Sequence, residues 1–249
     1  VERDPSGLES MLNRLLPDID VVRLAVLDEV YLPGSYDGSR RVAASVRVVL
    51  SDWFRYPAGL RYYPEYDPAD PDRYQNKALL AAALELLRRD NEQLIRAQRL
   101  QDWLATGRRR LRDGRLVEVS YACTDYARTS SPVRPGVVTI ATLDLGDLGK
   151  PPARTSIIAE PGEIYATTQS LYIASQHWWW WPELGQSDWT YVHKFDISGA
   201  GGAVHVASGS VAGHIVDQFS LDEHAGHLRM ATTTATRVAD PEQPWGRLE

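Results

Sequence analysis

The chain has 249 residues, an ordinary apolar content of 43% and a formal charge of −6. Such a length gives one or two domains with a sizeable core, and the acidic balance lacks the basic face that nucleic-acid binding needs. No run of about 18 apolar residues occurs, so no membrane-spanning helix is expected, and the lone Cys123 excludes an intrachain disulfide without fixing the compartment.

Along residues 1–20, Leu8, Met11, Leu12, Leu15 and Leu16 share one face of a weak helix that ends at Pro17. Residues 21–30 are β-branched and apolar, Pro33-Gly34 turns the chain, and 42–50 supplies further strand-like runs. From 52 to 74, Trp53, Phe54, Tyr56, Tyr62, Tyr63, Tyr66 and Tyr74 alternate with Pro57, Pro64, Pro68 and Pro71. Proline at that density forbids a helix or a central strand, which predicts a long ordered loop held by its aromatics. Leu80, Leu84, Leu87, Leu94 and Ile95 then recur at three- and four-residue steps, predicting a helical segment over 77–104. Asp90 with Gln93 offers a second N-cap and a break near Asp90-Asn91, and Gly107 offers a terminator. Arg108-Arg109-Arg110 reads as a solvated helix end. Strands resume at 116–122 and continue onward, so the helix interrupts a β pattern as an insertion.

That β pattern repeats. Pro33-Gly34 leads to Val48-Val49-Leu50-Ser51, Pro161-Gly162 to Leu171-Tyr172-Ile173-Ala174-Ser175, and Ala212-Gly213 to Leu228-Arg229-Met230-Ala231-Thr232. The strand-like run 139–145 also matches 191–197, with 52 positions between Asp144 and Asp196 and 51 between Gly162 and Gly213. A period of about 40–50 residues built from short strands is the sequence signature of a β-propeller blade. The expected fold is mainly β, a partial β-propeller of about three antiparallel blades carrying an α-helical insertion. One domain over 1–249 is expected, blade-like at 21–51, 116–175 and 190–233. A closed ring needs about four blades or more, and the chain begins at Val1 inside the pattern, which reads as a piece of a longer protein. Bare blade edges would then be available for self-association.

The segments Gly162-Glu163-Ile164-Tyr165-Ala166, Ser170-Leu171-Tyr172-Ile173-Ala174, Tyr191-Val192-His193-Lys194-Phe195-Asp196 and Asp217-Gln218-Phe219-Ser220-Leu221-Asp222-Glu223 carry a family likeness. The chain resembles bacterial and archaeal secreted proteins with a C-terminal β-propeller domain distantly related to WD40 repeats, best over 136–233 and again over 21–51. The resemblance implies an exported or envelope-anchored protein. It implies no enzyme activity and no catalytic residues.

His177-Trp178-Trp179-Trp180-Trp181-Pro182 is the most unusual local feature. Alternate side chains of an extended run face opposite ways, and four bare indoles exceed what a monomer surface tolerates. The run therefore reads either as a crossover clamped onto the blades or, on one face, as a platform for a glycan or a partner's apolar anchor. His177, Trp178, Trp179, Trp180, Trp181 and Trp189 are the candidate binding residues. His193, His205, His214, His224 and His227 gather late in the chain near Asp217, Asp222 and Glu223. Neither HExxH nor a Cys pair accompanies them, and Asp222-Glu223-His224-Ala225-Gly226 reads as a polar hairpin turn, so no metal is expected. No Gly-x-Ser-x-Gly occurs, Cys123 reads as a small apolar residue, Asp70-Pro71-Asp72 lacks EF-hand spacing, and 199–202 reads as a flexible turn. No catalytic residue, cofactor or nucleic-acid partner is expected. The leading reading is a non-catalytic interaction or scaffold module binding a protein or glycan. The rival is an envelope hydrolase or lyase using the late His/Asp cluster.

Overall fold

The computed structural model describes residues 29–65, 68–70, 72–111, 113–119, 122–129, 136–147, 149–177, 188–234 and 237–248. In chain order the strands are β1 (Glu29–Tyr31), β2 (Ser35–Val42) and β3 (Ser45–Trp53), then helices α1 (Lys77–Ala97) and α2 (Leu100–Trp103). After them come β4 (Gly107–Arg110), β5 (Leu116–Val119), β6 (Tyr126–Arg128), β7 (Gly136–Asp144) and β8 (Ala153–Ile158). Next are β9 (Glu163–Ala166), β10 (Ser170–His177), β11 (Trp189–Asp196) and β12 (Val204–Ala212). The last are β13 (Leu221–His224), β14 (His227–Met230), β15 (Arg237–Asp240) and β16 (Gln243–Leu248).

Two sheets dominate, with strand orders β2-β3-β7-β8-β6 and β12-β11-β10-β9. Within the first, β3 and β7 pair without a register shift from Ser45↔Asp144 to Trp53↔Gly136. Residues 54–135 thus leave and re-enter the sheet at one point, which is the geometry of an insertion between neighbouring strands. The strand groups read as separate at 21–51 and 116–175 therefore contribute to one sheet, and 163–177 opens the next. Residues 21–28 lie outside the described residues. The two sheets meet through Val49, Val138, Ile140, Ile157, Leu171, Ile173 and Phe195, all fully or nearly fully buried.

The insertion joins the rest of the chain by pairing β4 with β1 and β6 with β8, while its loop and helices are tied to one another. Asn76 caps α1 by accepting hydrogen bonds from the Ala78 and Leu79 amides at 3.0 and 3.4 Å. The helix runs unbroken past Asp90-Asn91, because that pair is used elsewhere. Asp90 pairs with Arg61 at 3.1 Å, while the Asn91 side-chain amide donates to the Arg61 carbonyl at 2.7 Å. The break comes at Gln98-Arg99, where the backbone turns extended before α2. Tyr62 and Tyr63 face solvent, so side-chain bonds from Arg61, and an edge contact of Tyr56 with Trp103 at 6.4 Å, hold the loop. Gly107 opens β4 instead of ending a helix. Arg108, Arg109 and Arg110 lie on that strand between β1 and β5, with Arg110 bonded to Glu29 at 2.6 Å.

The turn at 199–202 is not loose either. Its Gly199 carbonyl accepts from Arg47, and the next carbonyls accept from Ser45 (Ala200, 3.5 Å) and Thr155 (Ala203, 2.5 Å). It is a clasp joining the second sheet to the first.

The repeat glycines do the same job three times. Ser35 pairs with Ser51, Glu163 with Ala174, and His214 with Thr233. In each case the preceding glycine lies against the carbonyl of that partner. A Cβ on Gly34 or Gly213 would sit 2.5 Å from the Ser51 or Thr233 oxygen, and one on Gly162 closer still to that of Ala174.

Candidate functional site

Antiparallel pairing places the start of β2, the end of β3, the start of β7 and the end of β8 at one end of the first sheet. The second sheet has the same arrangement, with Glu163↔Ala174, His177↔Trp189 and Trp189↔Ala212 at that end. The insertion at 54–135 and the tryptophan-bearing stretch 178–188 therefore fall at equivalent places in the chain order, each joining the second and third strands of its sheet. Trp178, Trp179, Trp180 and Trp181 lie outside the described residues. His177 and Trp189 frame their connection as a directly opposed pair.

A groove of about 350 Å³ crosses this end, lined by Trp53, Pro161, Glu163, Gln176, Ile215 and Val216. Trp53 is 54% and Val216 77% exposed. Beneath it the Ser175 hydroxyl donates to the Glu160 carbonyl at 2.5 Å. Burial, with the Glu160 charge adding to it, pushes the Tyr191 phenol up. His177 stands edge-on to Tyr191 at 5.7 Å. His214 Nδ1 lies 3.2 Å from Asp188 Oδ2, next in the chain to the groove residue Ile215. Sequence reasoning missed Glu160, Tyr191 and Asp188. The first precedes Pro161-Gly162 at a repeat start and the second opens a matched strand, so the repeat itself pointed to both. Asp188 gave no signal.

A second, wider cleft of about 830 Å³ runs between β2, β9 and the stretch after Gln218, lined by Tyr36, Asp37, Arg40, Tyr165 and Phe219 among others. Burial pushes the Asp37 carboxyl up, partly offset by the Ser51 hydroxyl at 3.0 Å. These are the first strands of their repeats, and among the described residues the sheets do not close into a ring around them.

The late histidines are dispersed. His224 and His227 are opposed across the two-residue turn Ala225-Gly226, both exposed, where the positive φ angles of 50° and 78° make a tight hairpin. His193 Nδ1 and His205 Nε2 share the Ser208 hydroxyl at 2.8 and 2.9 Å. Among the described residues no three His, Cys, Asp or Glu side chains converge as a metal site.

A family model described as a beta propeller domain matches residues 10–245. The chain belongs to the β-propeller domain family. Comparison with curated proteins and with solved structures found no match. The chain is thus a mainly β, partial propeller module, in which β9–β12 are one blade and β2, β3, β7 and β8 another, interrupted by the helical insertion. Each blade begins at its repeat glycine. The groove with Trp53 spans the loop ends of neighbouring blades, and the wider cleft lies where their innermost strands face one another. Among the described residues, no helix is long and apolar enough to cross a membrane.

His193 illustrates how tightly the blade interior is closed. It is fully buried, and burial, with like-charge repulsion from His205 adding, pushes its imidazole down to about 4. The unfolded chain takes up that proton near pH 6.5, so between 6.5 and 4 the unfolded state binds more protons than the native one. Stability is therefore full above pH 6.5 and falls as the pH drops through this window, by as much as ~3 kcal/mol for a shift of this size. His193→Gln is expected to flatten that slope. Urea titrations across the window check it, and an unchanged slope would remove His193 as the cause.

Proposed function

We propose that this chain is a non-catalytic interaction module of an exported or envelope-anchored propeller protein. It binds a protein partner through the blade ends that carry the insertion and the tryptophan-bearing connection. The observation that carries this reading is the groove at those ends. A half-exposed Trp53 stands there beside Pro161, Ile215 and an exposed Val216, with Glu163 and Gln176 as polar neighbours. An indole with small apolar residues around it and a polar rim is the composition of a binding hot spot. Tyr56, in the insertion, and Trp189, the first residue of β11, are exposed as well. Export rests on the family resemblance.

Dispersal of the histidines supports a binding role over catalysis, which calls for polar groups converging in one concavity. The hydrolase or lyase reading retains one favourable observation, the His214–Asp188 pair beside the groove. Trp53→Ala, with Val216→Glu as a second variant, separates the readings. Cross-linking in the envelope fraction of the source cell should capture a partner with the unaltered chain and lose it by about tenfold or more with either variant. Thermal stability should stay close to that of the unaltered chain, since Trp53 is half exposed. A glycan array bound by the unaltered chain and not by Trp53→Ala would replace the protein partner with a sugar. Capture that survives both variants would sink the groove as the binding surface.

A further inference from the structure

The outer edges of the two blades are treated differently. In the first, β6, a strand supplied by the insertion, pairs in parallel with β8 through Tyr126↔Ser156, Ala127↔Ile157 and Arg128↔Ile158. In the second, β12 holds the same outermost position, and among the described residues it pairs only with β11.

Apart from one bulge, this edge lacks the devices that keep edges apart. Proteins blunt an exposed strand with lysine, proline, bulges or short length. The nine residues of β12, Val-His-Val-Ala-Ser-Gly-Ser-Val-Ala, include neither proline nor a lysine, arginine or carboxylate, and nearly all are exposed. The single bulge, at Lys194/Phe195, lies toward the start of β12, and from Ala207 to Ala212 the pairing with β11 is regular. The hydroxyl of Ser208, bonded to His193 and His205, ties the strand to the blade interior. From Ala207 to Ala212 the edge is therefore regularly paired on its inner side, held in place and uncharged.

Its sequence is also nearly symmetric about Gly209. Ser208 mirrors Ser210, Ala207 mirrors Val211, and Val206 mirrors Ala212. Two copies brought together antiparallel about a two-fold axis at Gly209 would set serine opposite serine and small apolar residues opposite one another. No charge would meet its like, and an isologous contact of this kind closes on itself.

We infer that β12 is the interface of a homodimer, in which two blades join edge to edge, antiparallel and centred on Gly209, into one continuous sheet. The surface is separate from the groove of the proposed function, so either can fail without the other. Sedimentation equilibrium of the unaltered chain should give a concentration-dependent mass reaching that of two chains. Ala207→Lys combined with Ser210→Lys, both at exposed positions, should give the mass of one chain with an unchanged circular dichroism spectrum. Register is tested by cysteine. A Cβ at Gly209 would meet nothing within 4 Å, and at the centre of the pairing two such residues are opposed within disulfide reach. Gly209→Cys should form a disulfide dimer under mild oxidation, well above Val204→Cys, which the same register separates from its copy. A chain that stays monomeric at all concentrations, a dimer that survives both lysines, or equal cross-linking at 204 and 209 would each overturn the inference.

Discussion

Gly162→Ala is expected to destabilise the chain by about 3 kcal/mol or more, a large share of an ordinary folding margin of about 5–15 kcal/mol. The new methyl group would overlap the Ala174 carbonyl, which is backbone of the inner strand β10 and cannot swing aside as a side chain would. Gly34→Ala and Gly213→Ala should lose stability for two reasons. Each faces a carbonyl oxygen 2.5 Å from the added atom, and each has a positive φ, 103° and 89°, that L-residues adopt at a cost. Gly201→Ala is the control, since an added Cβ there would touch nothing within 4 Å. It should stay within ~0.5 kcal/mol of the unaltered chain. Denaturant unfolding of the four variants makes the comparison. Similar small losses in all four would mean that the repeat glycines are interchangeable turn residues and not the fixed points where each blade begins.

Arg47 should give the second large effect, with opposite outcomes for two substitutions. It is only 1% exposed, one guanidinium nitrogen donates to the Gly199 carbonyl, and its Nε and Nη1 reach no acceptor. Burial lowers its pKa, and Asp196 opposes that shift through its charge. Arg47→Ala removes the bond that clasps 199–202 and leaves a void between the sheets, at an expected cost of roughly 3–5 kcal/mol. Arg47→Met fills most of the same space without burying a charge, and should come within ~1 kcal/mol of the unaltered chain or exceed it. Thermal and urea unfolding distinguish the cases. A methionine variant as weak as the alanine one would show that the guanidinium bond to Gly199 outweighs the cost of burying it.

Much of the β pattern was legible because it is local or repeated. A glycine before an alternating run marked each blade start, and superposing the copies along the chain required nothing but the sequence. The long helix was legible from leucine spacing, and the His224–His227 hairpin from Ala225-Gly226. The candidate site was legible only in part. His177 and Trp189 were picked out for their unusual neighbourhood, and they proved to be an opposed pair at the mouth of one connection. Trp53 was read as part of a proline-rich loop, yet it ends a strand and lines the groove.

Sequence by itself determined the repeat, its glycines and the existence of an insertion. These depend on spacing and composition, which the chain carries residue by residue. Tertiary structure alone decided that β3 meets β7 across 54–135, that β6 pairs along one blade edge while β12, among the described residues, pairs only with β11, and that 199–202 is clasped by Arg47. Strand register and the burial of a single arginine depend on which distant segments come together. Each is a choice among pairings of similar local pattern, fixed by the fit of the sheets and not by any period in the chain.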